Sequence, residues 1–249
     1  MMHILIVGGT QGLGRALAEN YLAQGHEVCV CGRDSQKLQG WQFKNHEKLS
    51  HYQLDISCSE QVSGLFEHYK DSPIDLIINC AGIYINNRET ELTESASLAL
   101  LNTNVLALNQ LLSLAADKML AQGYGHFVAL SSVAALIHYP GASLYSATKR
   151  SVINLCDTYR TALSPFGIKV SAVVPGYINT AQLRFLNGGD ASHKLFIVEQ
   201  DYAAKLIIKQ LDQGIETFVF PKRMHCLMRL LNLIPKPVLS YFLMPKKIS

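Results

Sequence analysis

The sequence predicts a single-domain α/β protein, a doubly wound parallel sheet with helices on both faces. Three observations carry this. Short apolar runs alternate with longer amphipathic segments from residue 3 to residue 221. The short runs are apolar throughout, so each is buried on both sides, as in a parallel sheet between two helical layers. No linker, repeat or low-complexity stretch interrupts the alternation, so residues 1–221 read as one domain and 222–249 as a tail attached to it. A content of 49% hydrophobic and 16% charged residues suits a large core and excludes a disordered chain.

In chain order, HILIVGG is the first strand, and LGRALAENYLAQG is a helix that Gly25 stops. HEVCVCGR is the second strand and SHYQLD the third. SEQVSGLFEHYK reads as a helix and IDLIINCAG as the fourth strand. SLALLNTNVLALNQLLSLAADKMLAQG is a long helix, and GHFVALSS the fifth strand. A helix begins at YSATK, IKVSAVVPG is the sixth strand, VEQDYAAKLIIKQLDQG a further helix and ETFVFP the seventh strand. In such a sheet, ligands bind at the carboxyl ends of the strands.

The six cysteines, Cys29, Cys31, Cys58, Cys80, Cys156 and Cys226, form no CxxC pair and no Cys/His cluster at zinc spacing. No metal site is expected, and reduced, buried thiols point to the cytoplasm. Cys29 and Cys31 share one face of the second strand. The first strand follows Met1 and Met2 directly, without a signal-peptide pattern, and no apolar run reaches about 18 residues. Charge is uneven. From Thr217 on there are six basic and no acidic residues, which leaves 16 basic against 19 acidic residues before it. A slightly acidic body argues against a nucleic-acid partner.

GGTQGLG lies between the first strand and the first helix. Gly8, Gly12 and Gly14, with Thr10, Gln11 and Leu13 between them, form a tight turn that a pyrophosphate can approach, and the helix N-terminus supplies free N–H groups. This points to a dinucleotide. The second strand ends Cys31-Gly32-Arg33, where an acidic residue would favour NAD(H). Gly32 leaves room and Arg33 pairs with a 2′-phosphate, so NADP(H) is expected over NAD(H), although Asp34 blunts the positive field. Tyr145 and Lys149 of YSATK stand one helical turn apart, so a phenol and an ammonium share one face.

Together these residues make the chain resemble the classical short-chain dehydrogenase/reductase (SDR) family, with its Rossmann-like fold, over all but the last thirty or so residues. Gly8-x-x-x-Gly12-x-Gly14 resembles its cofactor loop, and Asp55 with Ile56 its adenine contact. Asn79, Ala81 and Gly82 of NCAG resemble its NNAG motif, with Cys80 as a departure. Val7 and Ala107 depart too, where threonine and glycine are usual. Pro175, Gly176, Ile178 and Thr180 resemble the segment that meets the nicotinamide. Asn104, Ser132, Tyr145 and Lys149 resemble its catalytic set.

The resemblance implies that Tyr145 is the acid/base, that Lys149 lowers the phenol's pKa and holds the nicotinamide ribose, that Ser132 steadies the substrate oxygen, and that Asn104 holds a water that relays protons. It also implies a homodimer or homotetramer through the long helix and the helix after YSATK. His138, Tyr139 and Tyr177 are the expected substrate contacts, and 181–199 a mobile lid.

The tail departs from the family. Met224, Leu227, Met228, Leu231 and Ile234 recur at helical spacing, with His225, Arg229, Asn232 and Lys236 opposite. This predicts a basic amphipathic helix, a proline break and a second apolar run. It packs on the body or in a subunit interface, or it forms a peripheral anchor for anionic lipid at the inner face of a membrane, or a hydrophobic rim over a lipophilic substrate site. The expected function is NADP(H)-dependent hydride transfer to or from a carbonyl or secondary alcohol. The alternative is an NADP(H)-binding redox sensor or scaffold without turnover.

Overall fold

A computed structural model gives the structure of the chain. Residues 39–40, 42–45, 86–91, 138–141 and 244–249 lie outside its described part. Seven strands form one sheet: β1 (His3–Val7), β2 (Glu27–Gly32), β3 (Leu49–Gln53), β4 (Leu76–Asn79), β5 (His126–Leu130), β6 (Lys169–Pro175) and β7 (Thr217–Phe220). Their order is β3-β2-β1-β4-β5-β6-β7, and every neighbouring pair is parallel. The order reverses between β1 and β4, which opens a crevice at their carboxyl ends.

The inner strands β1, β2 and β4 are apolar because both faces are covered, whereas the edge strand β3 (LSHYQ) is polar in three of five residues and has no buried residue. Ile4, Ile6, Val28 and Val30 face α1 (Gly12–Ala23) and α7 (Gln200–Asp212) in one core cluster. Leu5, Val7, Cys29 and Cys31 face the other, formed with α2 (Ser59–His68), α4 (Ala107–Gln122) and α5 (Leu144–Leu163). Strand alternation therefore puts both cysteines on one face, and all six thiols are free.

The long helix begins earlier than its apolar pattern suggests. Thr93 caps α3 (Glu94–Leu101) by accepting from Ala96 N, a short π-turn spans Asn102–Leu106, and α4 continues to Gln122. By length and composition, Glu94–Gln122 is apolar enough to cross a bilayer. Its Leu108, Leu111, Leu112, Ala115 and Met119 are nevertheless core residues, while Leu98, Leu101, Leu106 and Leu120 are exposed.

The tail forms two helices, α8 (Lys222–Leu231) and α9 (Lys236–Leu243). The sequence pattern ran on to Ile234, but the helix stops at Leu231. Ile234 precedes Pro235, whose ring disfavours helical backbone at the residue before it. Met224 and Met228 of α8 are buried against Val133 and Val174, and Leu239 of α9 is buried as well. Packing on the body is thus the arrangement adopted by the inner face of this tail.

Candidate active site

The glycine loop sits at the carboxyl end of β1. Gly14 is required by close approach: a Cβ there would lie 2.4 Å from the Gly8 carbonyl oxygen. Gly12 has φ +58, in the left-handed region. Gln11 caps α1 without a side-chain hydrogen bond, and no acidic residue occupies the first turn. The first N–H groups of α1 therefore suit an anion, and the residues present fit a dinucleotide. Leu13 is buried in the core beneath. A Cβ on Gly12 would meet the Thr180 methyl at 3.6 Å, so the segment after β6 reaches the loop. Thr180 accepts from Leu183 N and so caps α6 (Ala181–Phe185). Gly176 N donates to Phe220 O at 2.7 Å beside Pro175, and Ile178 bridges to Val198.

Gly14→Ala is expected to drive the loop apart, because its neighbours are backbone atoms with no rotamer to give. A loss of about 1–3 kcal/mol is expected, read as a lower urea midpoint together with weakened dinucleotide binding.

At the end of β2, the room that Gly32 leaves is filled by Thr10, whose methyl would lie 2.8 Å from a Cβ there. Arg33 stands exposed beyond it. The Asp34 carboxylate accepts from Gln36 N at 2.9 Å and so is held within its own turn. Asp55 accepts from the Ser57 hydroxyl and N–H, which hold its carboxyl below the usual range, with Arg33 helping. Lys37 Nζ donates to Gln11 Oε1 at 3.1 Å, which brings a second cation to the glycine loop. The sequence reading missed Lys37; the signal was its place four residues after Arg33. Ile56 is buried. Asn79 Oδ1 accepts from Ala81 N and braces the turn after β4.

The catalytic candidates converge beyond β4 and β5. Ser132 caps a 3-10 turn (Val133–Leu136), its hydroxyl accepting from Ala134 N at 3.2 Å. Ser143 caps α5, so Tyr145 falls in the first turn. Burial pushes the Tyr145 phenol up to about 12; its hydrogen bond with Ser132 acts the other way, and Tyr84 and Tyr177 add to the rise. The Tyr84 ring meets Tyr145 edge-on, with centroids 4.8 Å apart.

Lys149 is buried, and its Nζ donates to Leu130 O at 3.0 Å. Burial pulls its ammonium down to about 8, with the neighbouring Cys80 thiol opposing. Its Nζ lies 5.9 Å from the centre of the Tyr145 ring. Burial sets the direction of the phenol's shift, Lys149 is not among the groups that shift it, and the ammonium is directed to a carbonyl. A Cβ on Gly82 would lie 3.1 Å from Lys149 Nζ and 3.2 Å from Asn104 Oδ1, so all three border one space.

Asn104 lies in the π-turn. Its Oδ1 accepts from Ile83 N at 2.9 Å, and its Nδ2 donates to Ile83 O at 3.0 Å and Thr148 Oγ1 at 3.2 Å. The side chain ties the loop after β4 to α5, where the resemblance implied a water relay. Tyr177 lies near enough to add to the rise of the Tyr145 phenol, and Lys194 Nζ lies 5.7 Å from the centre of the Tyr177 ring. His138 and Tyr139 lie outside the described residues. The 181–199 segment holds α6, and its base is tied by Asn179 Nδ2 to Glu199 at 2.8 Å. Phe196, at φ 56, packs against the cluster that contains Met224 and Met228.

A dinucleotide-fitting loop at the switch point of a parallel sheet, with half-buried Ser132 and Tyr145 and buried Lys149 beyond the same strand ends, is the arrangement of an NAD(P)-dependent oxidoreductase. Comparison with known proteins agrees: the short chain dehydrogenase family model matches residues 2–189, and the chain belongs to the short-chain dehydrogenase/reductase family. It is 31% identical over 188 residues to dehydrogenase/reductase SDR family member 7B of Xenopus laevis, covering 71% of this chain and 58% of that protein. It is 32% identical over 192 residues to a tropinone reductase homolog of Arabidopsis thaliana, covering 74% and 71%. Among solved structures, ElxO with NADP bound has TM-score 0.76 and 27% identity, covering 88% of this chain and 96% of that one. A short-chain dehydrogenase of Burkholderia cenocepacia in complex with NADP shares the fold at TM-score 0.80 and 22% identity over 98% of both chains.

Proposed function

We propose that the protein is an NADP(H)-dependent oxidoreductase that interconverts a carbonyl and a secondary alcohol on a lipophilic substrate, with Tyr145 exchanging the proton. The observation that carries this is the meeting of Ser132, Tyr145 and Lys149 at the carboxyl ends of the central strands. A dinucleotide held there would supply or accept the hydride.

The chain's residues do the rest. The Gly8–Gly14 loop and the α1 N-terminus bind pyrophosphate. Asp55 and Ile56 contact adenine, and Asn79, Ala81 and Gly82 line the ribose side. Pro175, Gly176, Ile178 and Thr180 border the nicotinamide. Tyr145, protonated at neutral pH, delivers its proton to the substrate oxygen, and the Ser132 hydroxyl steadies that oxygen. Lys149 holds the ribose and offsets negative charge on the phenol. Asn104 acts by fixing the Ile83 loop. The aromatic ring of Tyr84 packs edge-on against Tyr145, which supports a lipophilic substrate. The exposed Leu98, Leu101, Leu106 and Leu120 support a homodimer or homotetramer through the long helix.

Arg33 and Lys37 select the 2′-phosphate; the NADP in ElxO and in the Burkholderia structure supports that choice. Arg33→Ala with Lys37→Ala is expected to weaken NADPH binding about tenfold or more, since charge-assisted hydrogen bonds contribute about 1.5–3 kcal/mol each. NADH binding should change little, and equal loss for both cofactors would refute the assignment. The function itself is tested by NADPH oxidation, with NADH alongside, over carbonyls graded from small polar ketones to long-chain ones. Turnover should rise with lipophilicity. Tight NADPH binding without turnover on any carbonyl would favour a sensor instead.

A further inference from the structure

The outer surface of the tail has no role in hydride transfer. α8 buries Met224 and Met228 against the body, and α9 buries Leu239. Leu227 and Leu231 pack beside them, and five other apolar side chains point away. Leu230, Leu233, Ile234, Val238 and Tyr241 are exposed, Leu233 and Tyr241 at 80%. They are interleaved with Lys222, Arg223, Arg229 and Lys236, which are exposed too. Among the described residues, none of these four cations has a carboxylate partner. From Thr217 to the end the sequence contains no acidic residue at all. A monomer gains nothing from five exposed apolar side chains in a run of twelve residues unless something covers them.

We propose that this surface docks on an anionic membrane, the five apolar side chains entering the acyl boundary and the four cations meeting lipid headgroups. Charge decides between occupants. A symmetric contact with a second copy would set Arg223, Arg229 and Lys236 against themselves. A nucleic acid would match the cations and leave the leucines in water. A bilayer interface of negative headgroups over hydrocarbon matches both.

The surface also adjoins the site. Met224 and Met228 pack on Val133, next to Ser132, and on the lid residue Phe196. Asn232 Nδ2 donates to Leu136 O at 2.6 Å, in the same turn as Val133. Docking therefore brings the Ser132 side of the site toward the membrane, where a lipophilic carbonyl partitions. That consequence rests on the proposed substrate class; the docking does not.

The test uses the full chain, sedimented with vesicles of phosphatidylcholine alone or mixed with phosphatidylglycerol. The protein should pellet with the anionic vesicles and release as salt rises. Leu230→Asp with Leu233→Asp should reduce binding about tenfold or more by removing buried apolar area. Arg229→Glu with Lys236→Glu should abolish the preference for phosphatidylglycerol. Both variants should still bind NADPH as the parent does, which separates this outcome from misfolding and from failure of the catalytic reading. The proposal is overturned if the parent stays in the supernatant with anionic vesicles at physiological salt, or if the leucine variant pellets like the parent. It is overturned equally if the parent does not bind vesicles and the leucine variant changes only the sedimentation velocity of the free protein, which would make the surface an interface between copies.

Discussion

Tyr145→Phe is expected to lower kcat/KM for carbonyl reduction by about 10²–10⁴-fold, the range for removal of a positioned general acid. NADPH affinity should be nearly unchanged. The substitution keeps the ring, its burial and its edge-on packing on Tyr84 at 4.8 Å. It removes one hydroxyl, whose hydrogen-bonding partner Ser132 retains its contact with Ala134 N. A folding defect is therefore not the expected cause of lost rate. The direction of the pKa shift gives a second readout. A phenol pushed up to about 12 is protonated across the neutral range, so reduction should be insensitive to Tyr145 titration near pH 7. Oxidation of the alcohol needs the phenolate, which accepts the alcohol's proton, and should rise with pH as the phenol ionises. Turnover by the Tyr145→Phe protein at the parent rate, with the same pH profile, would remove Tyr145 from the mechanism.

The fold was legible because parallel strands buried on both faces leave an uninterrupted apolar run, as in β1, β2 and β4, while the edge strand β3 (LSHYQ) was placed by its position in the alternation. The glycine loop was legible because Gly14 can be nothing larger beside the Gly8 carbonyl. Helical spacing put Tyr145 and Lys149 on one face, and only the resemblance of the whole motif set gave them a role. Other features depend on contacts far apart in sequence. The π-turn around Asn104 is fixed by hydrogen bonds to Ile83 and Thr148, 21 and 44 residues away. Lys37 gains meaning only when its ammonium meets Gln11, 26 residues back. The phenol's rise was invisible because burial belongs to the whole fold; spacing places the lysine nearby but says nothing of the carbonyl it bonds. The tail followed its pattern on the side that packs, with Met224 and Met228 inward, and broke from it at Ile234, where the backbone preference imposed by Pro235 outweighed one apolar side chain.

Lys149→Met should separate stability from function most sharply. Burial holds the Lys149 ammonium near 8, against an ordinary value of 10.5. An unfolded chain keeps this proton up to about pH 10.5, whereas the folded chain releases it near 8, so between these values the unfolded state binds more protons and stability rises with pH. The cost of burying the charge is thus present in full below about pH 8 and is relieved toward pH 10.5. A shift from 10.5 to about 8 corresponds to about 3 kcal/mol. Methionine has no proton to lose, so the parent should gain up to about 3 kcal/mol on Lys149→Met between pH 7 and 10.5. Urea unfolding of both proteins across that range measures it, and a difference independent of pH would show that the ammonium is not strained. The expected strain has a purpose in the proposed mechanism. A cation held dry beside Gly82 and one turn from Tyr145 is most useful when negative charge arrives on the phenol, because the low-dielectric surroundings that destabilise the lone ammonium strengthen its attraction to that charge. Lys149→Met should therefore lose turnover even where it gains stability, and the two effects should trace to the same buried nitrogen.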